Sequence, residues 1–154
     1  MDTYSDFKTL AAHETLKLDY RIRVQNLKSN ITIAAIHGGS IEPKTSSIAE
    51  FIAGATYNYY CFEGIKESNN SDLHITSHRF DEPTALDLIT SSEIVITVHA
   101  CSERQPIVYI GGLCRGLASL IQDSLAGLSI ETGYRMKFSG THPHNICNRG
   151  TRKS

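Results

Sequence analysis

The residues best able to do chemistry are His37 and Glu42, in the stretch Ile33-Ala-Ala-Ile-His-Gly-Gly-Ser-Ile-Glu-Pro43. An apolar run, Ile31 to Ile36, leads directly into an imidazole, two glycines and a carboxylate. Gly38 and Gly39 let the backbone turn through conformations closed to other residues, and Pro43 biases Glu42 toward an extended backbone. An imidazole nitrogen and a carboxylate oxygen on one short loop make two of the three ligands of an open metal site. A second apolar run, Ile94 to Val98, ends in His99, which would complete a set of two imidazoles and one carboxylate. An ion held this way acidifies its bound water toward a pKa of roughly 7 and polarises a substrate carbonyl. Spacing alone leaves a second reading open, in which His37 is a structural histidine satisfied inside the core.

The three side chains can converge only if the strands ending in His37 and His99 lie side by side, roughly 5 Å apart. The surrounding pattern supplies such a frame. Asp19 to Val24 alternates polar and apolar residues, as a half-exposed strand does. Ile31 to Ile36 and Ile94 to Val98 are nearly continuous apolar runs, the mark of strands covered on both faces. Aromatic-rich Tyr57 to Phe62 reads as another strand, with its tyrosines as packing residues. Shorter strands are predicted at Leu73 to Thr76, Ile107 to Ile110 and Gly133 to Phe138. Thr45-Ser46-Ser47 can cap a helix over about 46–54, whose apolar stripe would be Ile48, Ala49, Phe51, Ile52 and Ala55. A short helix follows Pro83, and Leu113, Leu117, Leu120, Ile121 and Leu125 have helical spacing. Strands alternating with helices give an α/β fold with a mixed, largely parallel sheet and helices on both faces. Ligands bind such sheets at the carboxyl ends of the strands.

The 154 residues suffice for a single domain, 1–154, with a real core. Forty per cent hydrophobic and 20% charged residues are ordinary globular composition, which argues against disorder. A formal charge of −1, without a basic cluster beyond the terminal Thr-Arg-Lys-Ser, disfavours nucleic-acid partners. The first residues lack the pattern of an export signal, and no run is long enough to span a membrane. The four scattered cysteines read as reduced thiols. A cytoplasmic monomer without membrane partners is expected, able to act outside after cell lysis.

Several motifs in order carry a resemblance. They are His37-Gly-Gly-Ser-Ile-Glu-Pro43, Tyr57-Asn-Tyr-Tyr-Cys-Phe-Glu-Gly64, Asp72-Leu-His-Ile-Thr-Ser77, Phe80-Asp-Glu-Pro83, Val98-His99 and Asn145-Ile-Cys-Asn-Arg-Gly150. Together they resemble the poly-γ-glutamate hydrolase family, phage-encoded and prophage-related zinc hydrolases with a zinc carboxypeptidase-like fold. The resemblance implies that His37, Glu42 and His99 bind Zn²⁺ and that the substrate is a γ-linked glutamate polymer. Guanidinium groups grip carboxylates in bidentate fashion, so Arg79, Arg104 and Arg149 are candidates for holding that polymer. Arg149 leads, because it lies in a family-like motif. His74, inside another such motif, is a candidate neighbour of the site or a plain strand histidine. His78, His142 and His144 lie in polar loop sequence and read as solvated, with a second metal site as the competing reading.

The resemblance also carries a departure. Members of the family continue past the Asn-Arg-Gly segment into a strand bearing a glutamate, by analogy the general base, and then into further helix. Here no carboxylate in a matching motif takes that role, so no catalytic base is assigned and the last strand and helix are expected to be missing. A lost general base costs roughly 10²–10⁴-fold in rate. The lost element would be replaced in trans, or Glu63 or another acid would substitute, or the chain would be an inactive prophage remnant that binds zinc or polymer. A phage replication role is the remaining alternative.

Overall fold

Two adjacent strands with opposite side-chain faces set the frame. The computed structural model describes residues 2–103 and 105–152. In chain order the elements are α1 (Phe7–Ala11), β1 (Tyr20–Gln25), β2 (Ile31–Gly39), α2 (Thr45–Ala53), β3 (Asn58–Gly64), α3 (Pro83–Thr90), β4 (Ile94–Thr97), β5 (Val108–Tyr109), α4 (Arg115–Gly127) and β6 (Thr132–Gly133). The main sheet runs β1-β3-β2-β4. β1 is antiparallel to β3, while β3, β2 and β4 are mutually parallel. This is the mixed, largely parallel sheet that the pattern predicts.

Alternation splits the core in two. Ala34, Ile36, Tyr60 and Phe62 face one side, where Leu10 of α1, Ala85, Leu88 and Ile89 of α3, and the loop residues Leu73, Ile75, Phe80 and Ile146 cover them. Ile33, Ala35, Tyr59 and Cys61 face the other, against Ala49 and Ala53 of α2. Helices therefore sit on both faces. Burying each of the large side chains contributes about 1.5–3 kcal/mol before entropy is counted.

Three expectations need correction, and one element has no counterpart among them. The helix over 46–54 exists, but its inward stripe is Thr45, Ala49 and Ala53, while Ile48, Phe51 and Ile52 stay exposed, Phe51 to 88%. Small residues face the sheet because the helix lies close to it: a Cβ on Gly38 would stand 2.5 Å from both Cys61 Sγ and Ser46 Oγ. No strand forms over Leu73 to Thr76: Leu73 ends a 3₁₀ turn, Asn70–Leu73, and a loop follows. The Asn70 side chain bonds both backbone groups of Lys66, at 2.9 and 2.8 Å, and such local bonds compete with sheet ladders. Leu73 and Ile75 then plug the core from a loop. Of the strand predicted over 133–138 only Thr132–Gly133 pairs, in parallel with β5, and Met136–Phe138 forms a 3₁₀ turn. The sequence reading missed α1 altogether, a single turn capped by Asp6, which accepts the Thr9 N–H at 2.7 Å.

Candidate metal centre

β2 and β4 are direct neighbours, paired as far as Ala34 with Thr97, and Val98 N–H continues the ladder to Ala34 O at 2.8 Å. His37 and His99 follow these last pairs by three and two residues, which brings both imidazoles to one edge of the sheet. Between Ala35 and Gly38 the register of β2 slips against β3, leaving an extra residue in β2. Such bulges re-aim side chains beside sites. Plain alternation would send His37 to the α2 face with Ile33 and Ala35. Its ring instead bonds the carbonyl of Ile75, a residue of the opposite core.

His37 is almost fully buried, 2% exposed. Its Nε2–H donates to Ile75 O at 2.8 Å, which puts the lone pair on Nδ1. That lone pair meets Glu42 Oε1 at 3.1 Å and His99 Nδ1 at 3.2 Å. His99 Nδ1 is also 3.3 Å from Glu42 Oε2. Three acceptor-rich groups converging on one point repel each other unless a cation or a shared proton lies among them. Among the described residues these three form the set of His, Cys and acidic side chains whose ligand atoms all lie within 4.8 Å of one another. A histidine that ligates through one nitrogen while donating the other N–H to a carbonyl is the usual outer arrangement of a metal site. The residues present therefore fit a divalent ion.

The loop is held by its own backbone. Glu42 N–H donates to His37 O at 2.9 Å, and Thr45 Oγ donates to Glu42 O at 2.7 Å and to His37 O at 3.3 Å. Ser46 Oγ accepts from Gly39 N–H at 2.8 Å. Residues expected to cap α2 thus fasten the ligand loop, and the cap position falls to Lys44, left-handed at φ 77° and without a side-chain cap bond. Gly39 also has positive φ, and a Cβ there would lie 2.3 Å from Gly64 O. Ala100 N–H donates to Glu42 Oε2 at 2.9 Å, tying the second strand end to the same carboxylate.

Electrostatics suit cation binding. Burial is the main force lowering the His37 pKa, reinforced by His99 and His74 and opposed by the Glu42 bond. The ring is thereby kept neutral and ligating. Burial alone would raise the Glu42 carboxyl, but a proton or cation held between it and the His37 and His99 imidazoles outweighs that and keeps it well below the ordinary carboxylate range.

The substrate candidates separate. His74 stacks on His37 with ring centroids 4.0 Å apart, and its Nδ1–H donates to Asp2 Oδ1 at 2.8 Å. Arg79, expected as a substrate grip, pairs with Asp2 at 2.6 Å through one amino group. Arg149 donates to two carbonyls, His144 O at 3.0 Å and His78 O at 3.1 Å. Glu63, considered as a substitute base, is buried and ion-paired with Arg21 at 2.6 Å and Arg23 at 3.7 Å. Arg104 lies outside the described residues. Sequence reasoning missed Asp2, which has no motif around it, and the hydroxyls of Thr45 and Ser46, whose cap-like pattern hid their second use.

Among the described residues no helix is long and apolar enough to cross a membrane. The solved structure of a bacteriophage poly-γ-glutamate hydrolase superposes with a TM-score of 0.95 at 29% identity, covering 99% of this chain and 75% of that one. A zinc-free apo structure of YndL gives 0.92 at 34% identity, over 98% of this chain and 75% of that one. From Bacillus subtilis (strain 168), the SPbeta prophage-derived UPF0714 protein YoqZ is 36% identical over 97% of this chain and 55% of its own length. UPF0714 protein YndL is 36% identical over 96% and 59%, and UPF0714 protein YmaC 35% over 97% and 64%. The chain thus spans little more than half the length of these curated relatives. The profile of one family, poly-γ-glutamate hydrolase, matches residues 4–154, and the chain belongs to that family.

Proposed function

We propose that this chain carries the zinc centre of a hydrolase that cleaves γ-glutamyl amide bonds of poly-γ-glutamate, with His37, Glu42 and His99 as the metal ligands. The observation that supports the reading is the convergence of these three groups with the His37 proton confined to Nε2. Family membership adds the substrate class, and a neighbour described as zinc-free points to the ion. When bound, zinc supplies a Lewis acid for the amide carbonyl and a lowered pKa for its water. The chain's own residues do the positioning. Ile75 O fixes the His37 tautomer, Ala100 N–H and the Thr45 hydroxyl hold the Glu42 loop, and Asp2 orients His74 beside the ligand ring. Arg149, charged and, among the described residues, bonded to the carbonyls of His144 and His78 rather than to an acid, stands ready for a carboxylate of the polymer.

One observation favours a second reading, binding without turnover. Glu63 is committed to two arginines and Glu42 to the ligand set, so neither acid is free to take a proton from water. One experiment separates the two. Polymer chain length is followed with zinc-loaded protein, with and without chelator. Chelator-sensitive shortening supports hydrolysis, whereas stoichiometric zinc without shortening supports binding alone. Loss of bound zinc in His37→Ala is expected under both, and its retention would sink the metal assignment.

A further inference from the structure

We propose that His78, His142 and His144, gathered about the guanidinium of Arg149, form a polyanion subsite that grips carboxylates of the substrate away from the bond being cut. The proposal rests on the polymer substrate argued above and assigns it a second point of contact. The His78 and His142 rings are 4.6 Å apart and the His142 and His144 rings 5.7 Å apart, although some sixty residues separate the two segments. All three side chains are exposed.

The cluster is built by the buried residues beneath it. Ile146 N–H donates to Ser77 O at 3.1 Å. Arg149 bridges the two segments through the carbonyls of His78 and His144. Asn148, 4% exposed, donates to Gly140 O at 2.7 Å and His142 O at 2.9 Å. Every one of these bonds ends on a backbone carbonyl, so the scaffold leaves the His78 and His144 rings and the Nε2 side of His142 to solvent, His142 Nδ1 being taken by the His144 N–H.

The charge balance points to an anion. Arg79, Arg135 and Arg152 each pair with a carboxylate, whereas Arg149, among the described residues, has no ion-pair partner. Asp81 is the acid whose charge reaches it, and that side chain already accepts the Phe7 N–H at 2.7 Å. The Arg149 guanidinium is a local positive charge on a chain whose net charge is −1, as capture of a polyanion requires, and the imidazoles beside it add ring N–H donors for carboxylate oxygens. A second metal site fits less well. These rings are not among the groups whose ligand atoms already converge, and His142 Nδ1 already accepts the His144 N–H at 3.1 Å. The position suits a polymer. His78 follows Ile75, whose carbonyl holds His37, by three residues, at most roughly 10 Å of chain.

The test uses fluorescently labelled poly-γ-glutamate and metal-free protein, read by anisotropy at low and high ionic strength. The double variant His142→Gln/His144→Gln should bind polymer about three- to tenfold more weakly at low salt, with a smaller salt dependence. Its zinc stoichiometry, and any cleavage of a short γ-glutamyl dipeptide, should be unchanged. His78→Gln should give a partial loss in the same direction. Unchanged polymer affinity would overturn the proposal, as would a native protein that does not bind polymer. Loss of a second equivalent of zinc in the double variant would overturn it in favour of a metal site. Polymer binding that depends on these histidines, in zinc-loaded protein that never shortens the polymer, would refute turnover and leave the subsite standing.

Discussion

Residues 10–95 and residues 96–145 are built to different standards. Among the described residues every buried hydrophobic side chain lies in the first stretch, except Ile146 just beyond the second. In the second, α4 has no buried residue, Leu120 is 67% exposed, and β5 and β6 pair over two residues each. Two of the three candidate metal ligands, His37 and Glu42, belong to the well-packed part, and His99 stands at the seam with its side chain 33% exposed. Rigidity is thus concentrated where a ligand must be held before the ion arrives. The stretch after it has few buried contacts to resist opening.

The sharpest way to break this contrast is to empty both parts. Phe62→Ala should cost about 3–5 kcal/mol, since the ring is fully buried and packs against Tyr20 and Phe80. Leu120→Ala should cost under about 1 kcal/mol. Denaturant unfolding of the two variants decides the matter, and equal losses would refute the distinction. Next in size is native-state hydrogen exchange. Amides of β2 and β3 should exchange at least about a hundredfold more slowly than those of α4, a gap of about 2.7 kcal/mol in opening free energy. Comparable protection would mean that α4 is stabilised by something its exposure does not reveal.

The same contrast explains what could be read from the sequence. β2 and β3 announce themselves through apolar and aromatic runs because both faces are buried, and β4 through an apolar run around buried Val95, whereas the adjacency of the strands ending in His37 and His99 comes from the pairing of β2 with β4 and leaves no mark in the linear pattern. The last predicted strand shrank to two residues because only strands with a covered face earn a long ladder. The α2 face was misjudged for the opposite reason. Hydrophobicity favours Ile48 and Phe51, but the clearance beside Gly38 admits only Thr45, Ala49 and Ala53. The contact of His78 with His142 is invisible in a linear pattern, since it depends on Asn148 and Arg149 bonding to carbonyls rather than on any residue near either histidine in sequence.

A smaller effect tests whether the packed part holds the ligand loop through Thr45. Thr45→Val keeps the shape and removes a hydroxyl that donates to Glu42 O and His37 O. It should cost about 1–2 kcal/mol, because buried carbonyls lose a partner. Zinc affinity should fall about tenfold, the low end for a support one step removed from the metal. Competition with a chromogenic chelator measures it. Unchanged affinity would show that the glycines and backbone bonds alone hold the loop.

The smallest effect concerns Asp2, which ties the start of the chain to the same site. Its carboxylate takes Thr76 N–H at 2.8 Å, His74 Nδ1–H at 2.8 Å and Arg79 at 2.6 Å. Burial would raise its pKa, but the Thr76 and His74 bonds outweigh that and hold it far below the ordinary 3.8. A carboxyl depressed by folding stabilises the native state above its unfolded pKa, and the contribution is lost as pH falls through the folded one. Asp2→Asn should therefore cost about 1 kcal/mol near neutrality, and its deficit against the native chain should narrow as pH drops below 3.8. Thermal unfolding at several pH values reads both. Because Asp2 reaches His74 and His74 lies on His37, the variant should also loosen exchange in the segment following β2 while leaving α4 unchanged. A deficit that is constant with pH, or that appears first in α4, would mean that Asp2 belongs to the looser half of the molecule.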